Sequence, residues 1–186
     1  MEIGSEFWIN NIPTKSTFEV PKWLSKFGEV VLTTSGRGAI TLLLRQIKPS
    51  FKTVLLPAYL CDSVIKTFIK EGYECLFYDI NSDFTSNIEN FSHFENIGIF
   101  FHMGYFGFNT NSNLELILKR LKKKSTIIVE GVTHTLFSSY GRFFQNDFYV
   151  GSIRKWFGIP SGGFLASKST MQGPQKQEEV FSQIRK

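Results

Sequence analysis

Lys155 lies between a β-rich stretch and a pair of glycines, and its sequence neighbours make it the strongest candidate for a nucleophile in this chain. Lys155 follows Ser152 by three residues and precedes Gly162 by seven. Arg154 and the indole of Trp156 lie directly beside it in the chain. A lysine that is desolvated in such a neighbourhood becomes a neutral nucleophile, as Schiff-base chemistry requires. Lys155 is therefore the candidate nucleophile, and the alternative is a solvated loop lysine.

A glycine-rich turn, Ser35-Gly36-Arg37-Gly38, is the second candidate. It stands between a β-rich stretch and a helical one, so its backbone N–H groups meet the N-terminus of a helix, where the dipole favours an anion. The turn therefore suits a phosphate. It matches neither the dinucleotide fingerprint nor the P-loop, and turns of this kind also occur without a ligand.

The spacing Ser152-x-x-Lys155 also spells the serine nucleophile motif of penicillin-binding enzymes. The Ser-Asp-Asn and Lys-Thr-Gly segments that this chemistry needs are absent from the sequence, and the segment 168–170 is a poor substitute. This reading is therefore disfavoured.

Short strand signals alternate with helix signals along the chain. The apolar runs are continuous, which is typical of strands covered on both faces. Short strands separated by helices imply parallel pairing, so the sequence predicts a three-layer α/β/α sandwich with a mostly parallel sheet. Strands are expected at residues 29–34, 53–56, 75–79, 97–102, 126–129 and 147–150, and helices at 39–47, 62–71 and 114–124.

Ligands of such sheets bind at the carboxyl ends of the strands. This rule selects the loops at residues 35–38, 57–62, 102–107, 131–134 and 151–155. The segment 81–96 is rich in Asn and Ser and is expected to be a surface loop. The chain turns polar at residue 167, and a short charged helix is expected at its C-terminus.

Length and composition exclude several classes of protein. The chain has 186 residues, enough for one domain, and no apolar run long enough to span a membrane. Its 20 Phe predict a phenylalanine-packed core. The net charge of +5 is densest at residues 119–124, where no aromatic residues interleave with the lysines, so nucleic acid is not an expected partner.

Cysteine usage and the N-terminus favour a cytoplasmic protein. Cys61 and Cys75 are too few for a disulfide framework or a cysteine-rich zinc site, and no metal is expected. Glu2 and Glu6 interrupt the N-terminus, which has no apolar stretch typical of a secretory signal.

From about residue 30 to residue 166 the chain resembles the fold-type I pyridoxal-phosphate enzymes, in particular the DegT/StrS-type sugar aminotransferases. The turn at Ser35 resembles their phosphate loop, and Lys155 stands seven residues before the first of two glycines, as in the family. Further similar segments are Leu55-Leu56-Pro57-Ala58-Tyr59, Phe77-Tyr78-Asp79 and Phe101-His102-Met103-Gly104-Tyr105-Phe106-Gly107.

The resemblance implies pyridoxal 5'-phosphate as the cofactor and a role for each candidate residue. Lys155 would form the Schiff base with the cofactor aldehyde and later move a proton. Ser152 would hold the phosphate together with Ser35 and the N–H groups of Gly36 and Arg37, to which the guanidinium of Arg37 or of Arg154 would add charge. His134 matches the position beside the cofactor ring, and a structural histidine is the alternative.

This sequence departs from the family at the pyridine nitrogen and at the stacking aromatic. Where the family has Glu-Asp, with the aspartate ion-paired to the pyridine nitrogen, this chain has Glu130-Gly131. Adjacent residues on a strand point to opposite faces, so Glu130 does not replace the missing group. Gly131→Asp is therefore expected to strengthen cofactor binding. The stacking position aligns near Cys61, which leaves Tyr59 or Tyr105 as substitutes.

The expected function is amino transfer from glutamate or a similar donor to a nucleotide-linked keto-sugar, in a homodimer. Residues 1–166 would form the cofactor-binding domain, and residues 167–186 a polar tail or the start of a small domain that family members carry. The alternative is a truncated or degenerate homologue that keeps the fold, with or without cofactor binding, but does not transaminate.

Overall fold

The structure is a computed structural model that describes residues 20–87, 94–169 and 171. Within these residues seven strands form one sheet with helices on both faces, which confirms the predicted sandwich. A 3-10 helix, Lys22–Phe27, comes first. The strands are β1 (Glu29–Thr33), β2 (Thr53–Pro57), β3 (Glu74–Tyr78), β4 (Ile99–Met103), β5 (Ile127–Gly131), β6 (Phe148–Ser152) and β7 (Gly163–Ser167), and the helices are α1 (Gly36–Gln46), α2 (Asp62–Lys70) and α3 (Glu115–Lys123).

The strands lie in the order β1-β7-β6-β5-β4-β2-β3. Strands β2 to β6 pair in parallel, and β7 is antiparallel to both of its neighbours, β1 and β6. Because β7 reverses the direction, β1 runs the same way as β2 to β6. The carboxyl ends of six strands therefore meet at one edge, together with the beginning of β7.

Both faces of the sheet are buried, as the continuous apolar runs predicted. Helices α1 and α2 cover one face, where Leu43 and Phe68 pack with strand residues such as Leu56. Helix α3 and the first 3-10 helix cover the other face, in two clusters that contain Phe100 and Phe27. Phe27, Phe68 and Phe100 are among the largest fully buried side chains, which confirms a core rich in phenylalanine.

Helix α1 begins three residues earlier than its composition predicted, at Gly36. The reason is a cap: the Oγ of Ser35 accepts a hydrogen bond from the backbone N–H of Gly38 at 3.0 Å, which satisfies one of the free donors of the first turn. The predicted phosphate turn is thus itself the start of the helix.

Helix α3 ends in the basic cluster, whose lysines are exposed as expected for a solvated helix end. Lys119 pairs with Glu115 and Lys122 with Asp147. None of the helices in the described part of the chain is long and apolar enough to cross a membrane.

Several predictions concern residues outside the described ranges. These are the absence of a secretory signal at Glu2 and Glu6, the C-terminal helix, and the middle of the segment 81–96. The described parts of that segment, residues 81–87 and 94–96, are loop apart from one isolated bridge between Ile80 and Ser86.

Candidate functional site

The turn between β1 and α1 is pressed against the beginning of β7. A Cβ added to Gly163 would lie 2.2 Å from the backbone carbon of Ser35, so only glycine permits this approach. The Oγ1 of Thr33 also donates a hydrogen bond to the carbonyl of Ser35 at 2.9 Å. The capped N-terminus of α1 is therefore held rigidly at the carboxyl edge of the sheet.

Ser152, the last residue of β6, lies beside this turn. A Cβ built on Gly36 would be 3.4 Å from the Cβ of Ser152, which places the two residues in van der Waals range. The structure thus brings Ser35, Gly36 and Ser152 together, although Ser35 and Ser152 are 117 positions apart in the sequence. Arg37 is exposed on the first turn of α1.

Lys155 ends a short 3-10 turn, Ile153–Lys155, that directly follows β6. The loop that carries it is tied to β1, because the N–H of Ile153 donates to the carbonyl of Gly162 at 3.0 Å and the N–H of Gly162 to that of Thr34 at 2.8 Å. The Lys155 side chain is exposed. The described residues therefore do not supply the desolvation expected from its sequence neighbourhood, and the role of Lys155 stays a prediction.

The charge of Lys155 acts on two groups from other loops. Burial lowers the pKa of His134, and the ammonium of Lys155 lowers it further. Hydrogen bonds from Ser63 lower the pKa of the exposed Cys61 thiol, and Lys155 again contributes. The loops after β2, β5 and β6 therefore converge on one site.

His134 presents a polar atom without a partner. Its Nδ1 is buried and has no hydrogen bond, while its ring stacks on Phe106 with centroids 5.3 Å apart at an interplanar angle of 26°. The centroids of the His134 and Tyr105 rings lie 6.2 Å apart in an edge-to-face arrangement. An unpaired buried nitrogen is costly, so a ligand atom that satisfied it would bind favourably here.

The aromatic residues around His134 include one that sequence reasoning missed. Phe106 has a φ of 52°, unusual for a bulky residue, and precedes Gly107 with a φ of 89°. The only sequence signal for such a turn is the pair of glycines around Phe106, Gly104 two residues before it and Gly107 directly after it. Phe106 is 55% exposed and forms a wall of the site.

Tyr59 and Tyr105 are joined to each other across this wall. The Tyr105 hydroxyl donates to the Tyr59 carbonyl at 2.8 Å, and their ring centroids lie 5.6 Å apart. Tyr105 is buried, whereas the Tyr59 ring is 55% exposed. Which of the two would stack on a cofactor stays a prediction.

The turn that carries His134 is bound to the turn that carries Lys155. The indole Nε1–H of Trp156 donates to the Thr133 carbonyl at 2.6 Å, and the backbone N–H of Ser152 donates to the Thr133 Oγ1 at 3.1 Å. Because both bonds come from the Lys155 segment, the two turns keep a constant separation.

Glu130 lies on the opposite face of β5 from Gly131, as the alternation of a strand predicted. It is 2% exposed, forms an ion pair with Arg142, and accepts a hydrogen bond from the Asn146 Nδ2 at 2.6 Å. Arg142 also donates to the Oγ1 of Thr135 at 3.0 Å and to its carbonyl. The buried pair thus fixes the residue that follows His134.

Gly131 lies against the ring of Phe101. A Cβ at position 131 would be 2.6 Å from the Cζ of Phe101, a ring that is 2% exposed and packed in the core. Gly131→Asp would therefore have to displace the Phe101 ring, and its effect on cofactor binding stays a prediction. Phe101 occupies the space that an aspartate side chain would need.

These residues fit part of pyridoxal phosphate. The capped helix terminus with Ser152 suits its phosphate, Lys155 suits its aldehyde, and the unpaired His134 nitrogen suits a polar ligand atom. A protonated ring nitrogen needs a carboxylate partner. The last residue of β5 is instead Gly131, which packs against the ring of Phe101. The described residues hold no cluster of His, Cys, Asp or Glu that could bind a metal.

Comparisons with known proteins agree with this geometry at the level of the fold. The chain matches Helicobacter pylori PseC, an aminotransferase involved in the biosynthesis of pseudoaminic acid, with a TM-score of 0.66 and 17% identity over 79% of this chain and 43% of that one. It matches serine palmitoyltransferase from S. paucimobilis with a TM-score of 0.58 and 17% identity over 80% of this chain and 42% of the other.

A third solved structure, SepCysS in complex with the N-terminal domain of SepCysE, has a TM-score of 0.61 and 16% identity over 78% of this chain and 44% of that one. A scan against protein-family profiles and a search of curated proteins give no match. The chain spans less than half the length of these three structures. Its fold is that of the fold-type I pyridoxal-phosphate enzymes.

Proposed function

We propose that this chain binds pyridoxal 5'-phosphate through Lys155 as the cofactor-binding domain of a pyridoxal-phosphate-dependent transferase. The observation that carries the proposal is the convergence of Lys155, His134 and the capped α1 turn at one edge of the sheet. The cofactor, when bound, supplies an aldehyde and a ring that delocalises electrons.

Each residue has a physical task in this proposal. The N–H groups of Gly36 and Arg37 and the hydroxyls of Ser35 and Ser152 would bind the phosphate, because the helix dipole favours an anion there. Lys155 would bond the aldehyde and then carry the proton at its Nζ.

The ring would lie beside His134 and the aromatic wall. The His134 Nδ1 would find a partner in the ligand, and Phe106 keeps the imidazole in place by stacking. Tyr59, exposed at the same wall, is the candidate for direct contact with the ring. These contacts orient the cofactor and exclude water from one side of it.

The finer proposal is amino transfer from glutamate or a similar donor to a nucleotide-linked keto-sugar, as part of sugar biosynthesis in the cytoplasm. The sequence resemblance to DegT/StrS-type enzymes and the similarity in fold to PseC support it. We propose that the protein works as a homodimer, since Trp156 and Phe157 beside Lys155 remain 42% and 39% exposed.

Cofactor attachment is the direct test. Wild type mixed with pyridoxal phosphate should develop an absorbance band at the edge of the visible range, and borohydride reduction followed by peptide mapping should place the label on Lys155. Lys155→Met should lose the band. Lys168→Met, which removes an exposed lysine at the end of β7, should keep it. A label spread over many lysines would contradict the proposal.

A second candidate function is cofactor binding without transamination. The contact between Gly131 and Phe101 favours it, because a ring nitrogen without an acidic partner is a weaker electron sink. The test uses NMR to monitor whether the Cα proton of glutamate exchanges with deuterium in D2O when protein and cofactor are present. Absence of exchange in a protein that binds the cofactor supports this candidate, and exchange at a rate typical of transaminases excludes it.

A further inference from the structure

A polar cavity opens between the N-terminal half of α1 and the length of α2. It has a volume of about 640 Å³, within the roughly 300–1,000 Å³ that small-molecule sites occupy. Ser35 and Ser161 form the wall nearest the candidate cofactor site, while Lys155, His134 and Ser152 do not line the cavity. The cavity therefore adjoins that site, shares Ser35 and Arg37 with its phosphate turn, and extends away from Lys155 along α2.

The lining is cationic and contains no large apolar side chain. Arg37 from α1 and Lys66 and Lys70 from α2 face it, and the rest of the lining is one aspartate, one glycine and hydroxyl-bearing residues. Asp62 pairs with Lys66 at 2.6 Å, whereas among the described residues Arg37 and Lys70 form no ion pair. Two of the three cations are thus available to a ligand.

The helices themselves add to the positive potential at one end of the cavity. Helices α1 and α2 have 11 and 9 residues, and both begin at the carboxyl edge of the sheet. The first turn of α1 carries no acidic residue that would offset its dipole. Hydroxyls such as that of Thr41, which is half-buried on α1, offer neutral donors between the cations.

We infer that this cavity binds an anion that carries two or more linked phosphate groups. Guanidinium and ammonium groups on two helices suit several phosphate oxygens at once. The inference concerns a site beside the cofactor position and does not depend on cofactor binding, since the phosphate held by Ser35 and Ser152 would lie nearer Lys155.

Binding of pyrophosphate to the full chain without cofactor tests this inference by titration calorimetry. Pyrophosphate should bind with 1:1 stoichiometry and at least about tenfold more tightly than inorganic phosphate, because each additional charge-assisted hydrogen bond contributes about a factor of ten or more. No binding, or equal affinity for the two anions, would overturn the inference.

The chain offers a closely matched control for charge alone. In α2 the lysines of the cavity are the fifth and ninth residues of a nine-residue helix, and Lys119 and Lys123 hold the same positions in α3 on the opposite face. Lys66 and Lys119 are both exposed and both pair with an acid one turn earlier. The double variants K66Q/K70Q and K119Q/K123Q therefore remove the same charge from equivalent helix positions.

K66Q/K70Q should weaken pyrophosphate binding at least about tenfold, and K119Q/K123Q should change it less than about twofold. Equal losses in the two variants would show general surface electrostatics and overturn the inference. Ser152→Ala should bind pyrophosphate as the wild type does, because Ser152 does not line the cavity, and a tenfold loss in that variant would place the anion in the phosphate site of the cofactor instead. Circular dichroism of each variant checks that the helices are intact.

Discussion

The two faces of the end of β5 differ in charge and in packing. Glu130 faces a buried polar network with Arg142 and Asn146, and every carboxylate oxygen there has a partner. Gly131 faces a phenyl ring at a distance that leaves no room for a Cβ. One strand thus carries a paired charge on one side and tight apolar packing on the other.

This difference shows that a carboxylate next to a functional position can be entirely structural. Glu130 stabilises the turn after β5 through Arg142 and Thr135, and it does so from the face away from Lys155. The apolar face, by contrast, determines what a ligand ring would meet. In the Glu130-Gly131 pair, the acid therefore has a structural role, and the Phe101 ring occupies the space that a side chain at position 131 would need.

Removal of the Glu130 carboxylate should have the largest effect on the protein. Glu130→Ala leaves the guanidinium of Arg142 and the amide of Asn146 without their acceptor in a buried site, which should lower the free energy of unfolding by about 3–5 kcal/mol. Urea denaturation followed by circular dichroism measures this loss.

The control is Glu115→Ala, which breaks the exposed pair with Lys119 and should cost less than about 1 kcal/mol. Similar losses in the two variants would mean that the buried pair does not organise the end of β5.

Gly131→Asp should have the next largest effect, a loss of stability, whereas the sequence alone predicts only stronger cofactor binding. Its Cβ would overlap the Phe101 ring, so we expect a loss of about 1–3 kcal/mol in the free energy of unfolding. Gly141→Asp is the matched control, because a Cβ at Gly141 meets nothing within 4 Å and its cost should stay within about 0.5 kcal/mol.

A double-mutant cycle sharpens this prediction. In the Phe101→Ala background, where the ring is gone, Gly131→Asp should cost at least about 1 kcal/mol less than in the wild type. Affinity for pyridoxal phosphate should rise only in the double variant. Simple additivity of the two costs would show that Phe101 is not the obstacle.

The smallest expected effect concerns the titration of His134. Burial and the Lys155 charge lower its pKa, so below pH 6.5 the unfolded chain takes up a proton before the folded chain does. His134 therefore lowers stability progressively as the pH falls from about 6.5 through the folded pKa. Lys155→Met should raise the folded pKa of His134, measured by NMR of the imidazole, and reduce this acid sensitivity.

Variants His93→Gln and His102→Gln assign the imidazole signals, because the chain has three histidines. An unchanged His134 titration in Lys155→Met would mean that the two groups do not share a site.

Most of the secondary structure could be predicted from the sequence because its signals are local. The continuous apolar run at β4 and the periodic residues of α3 lie within a few positions of the true element bounds. The topological rule for parallel sheets selected the edge at which the structure places the loops of Ser35, His134 and Lys155, and ligand binding there stays a prediction.

The features that sequence reasoning missed depend on contacts between distant residues. Arg142 pairs with Glu130 across 12 positions, and no local pattern marks it as a partner. Phe101 reaches Gly131 only because β4 and β5 pair in register. The exposure of Lys155 likewise depends on which elements cover its turn.

The sequence by itself determined the order of strands and helices, the glycine turn at Ser35 and the spacing of Lys155 from Gly162, because hydrogen-bonding preference and apolar periodicity act over a few residues. Only the tertiary structure decided that Phe101 closes position 131, that Glu130 serves the opposite face, and that Arg37, Lys66 and Lys70 line one cavity. The physical reason is that packing and charge pairing depend on distances between side chains, which the folded sheet alone sets.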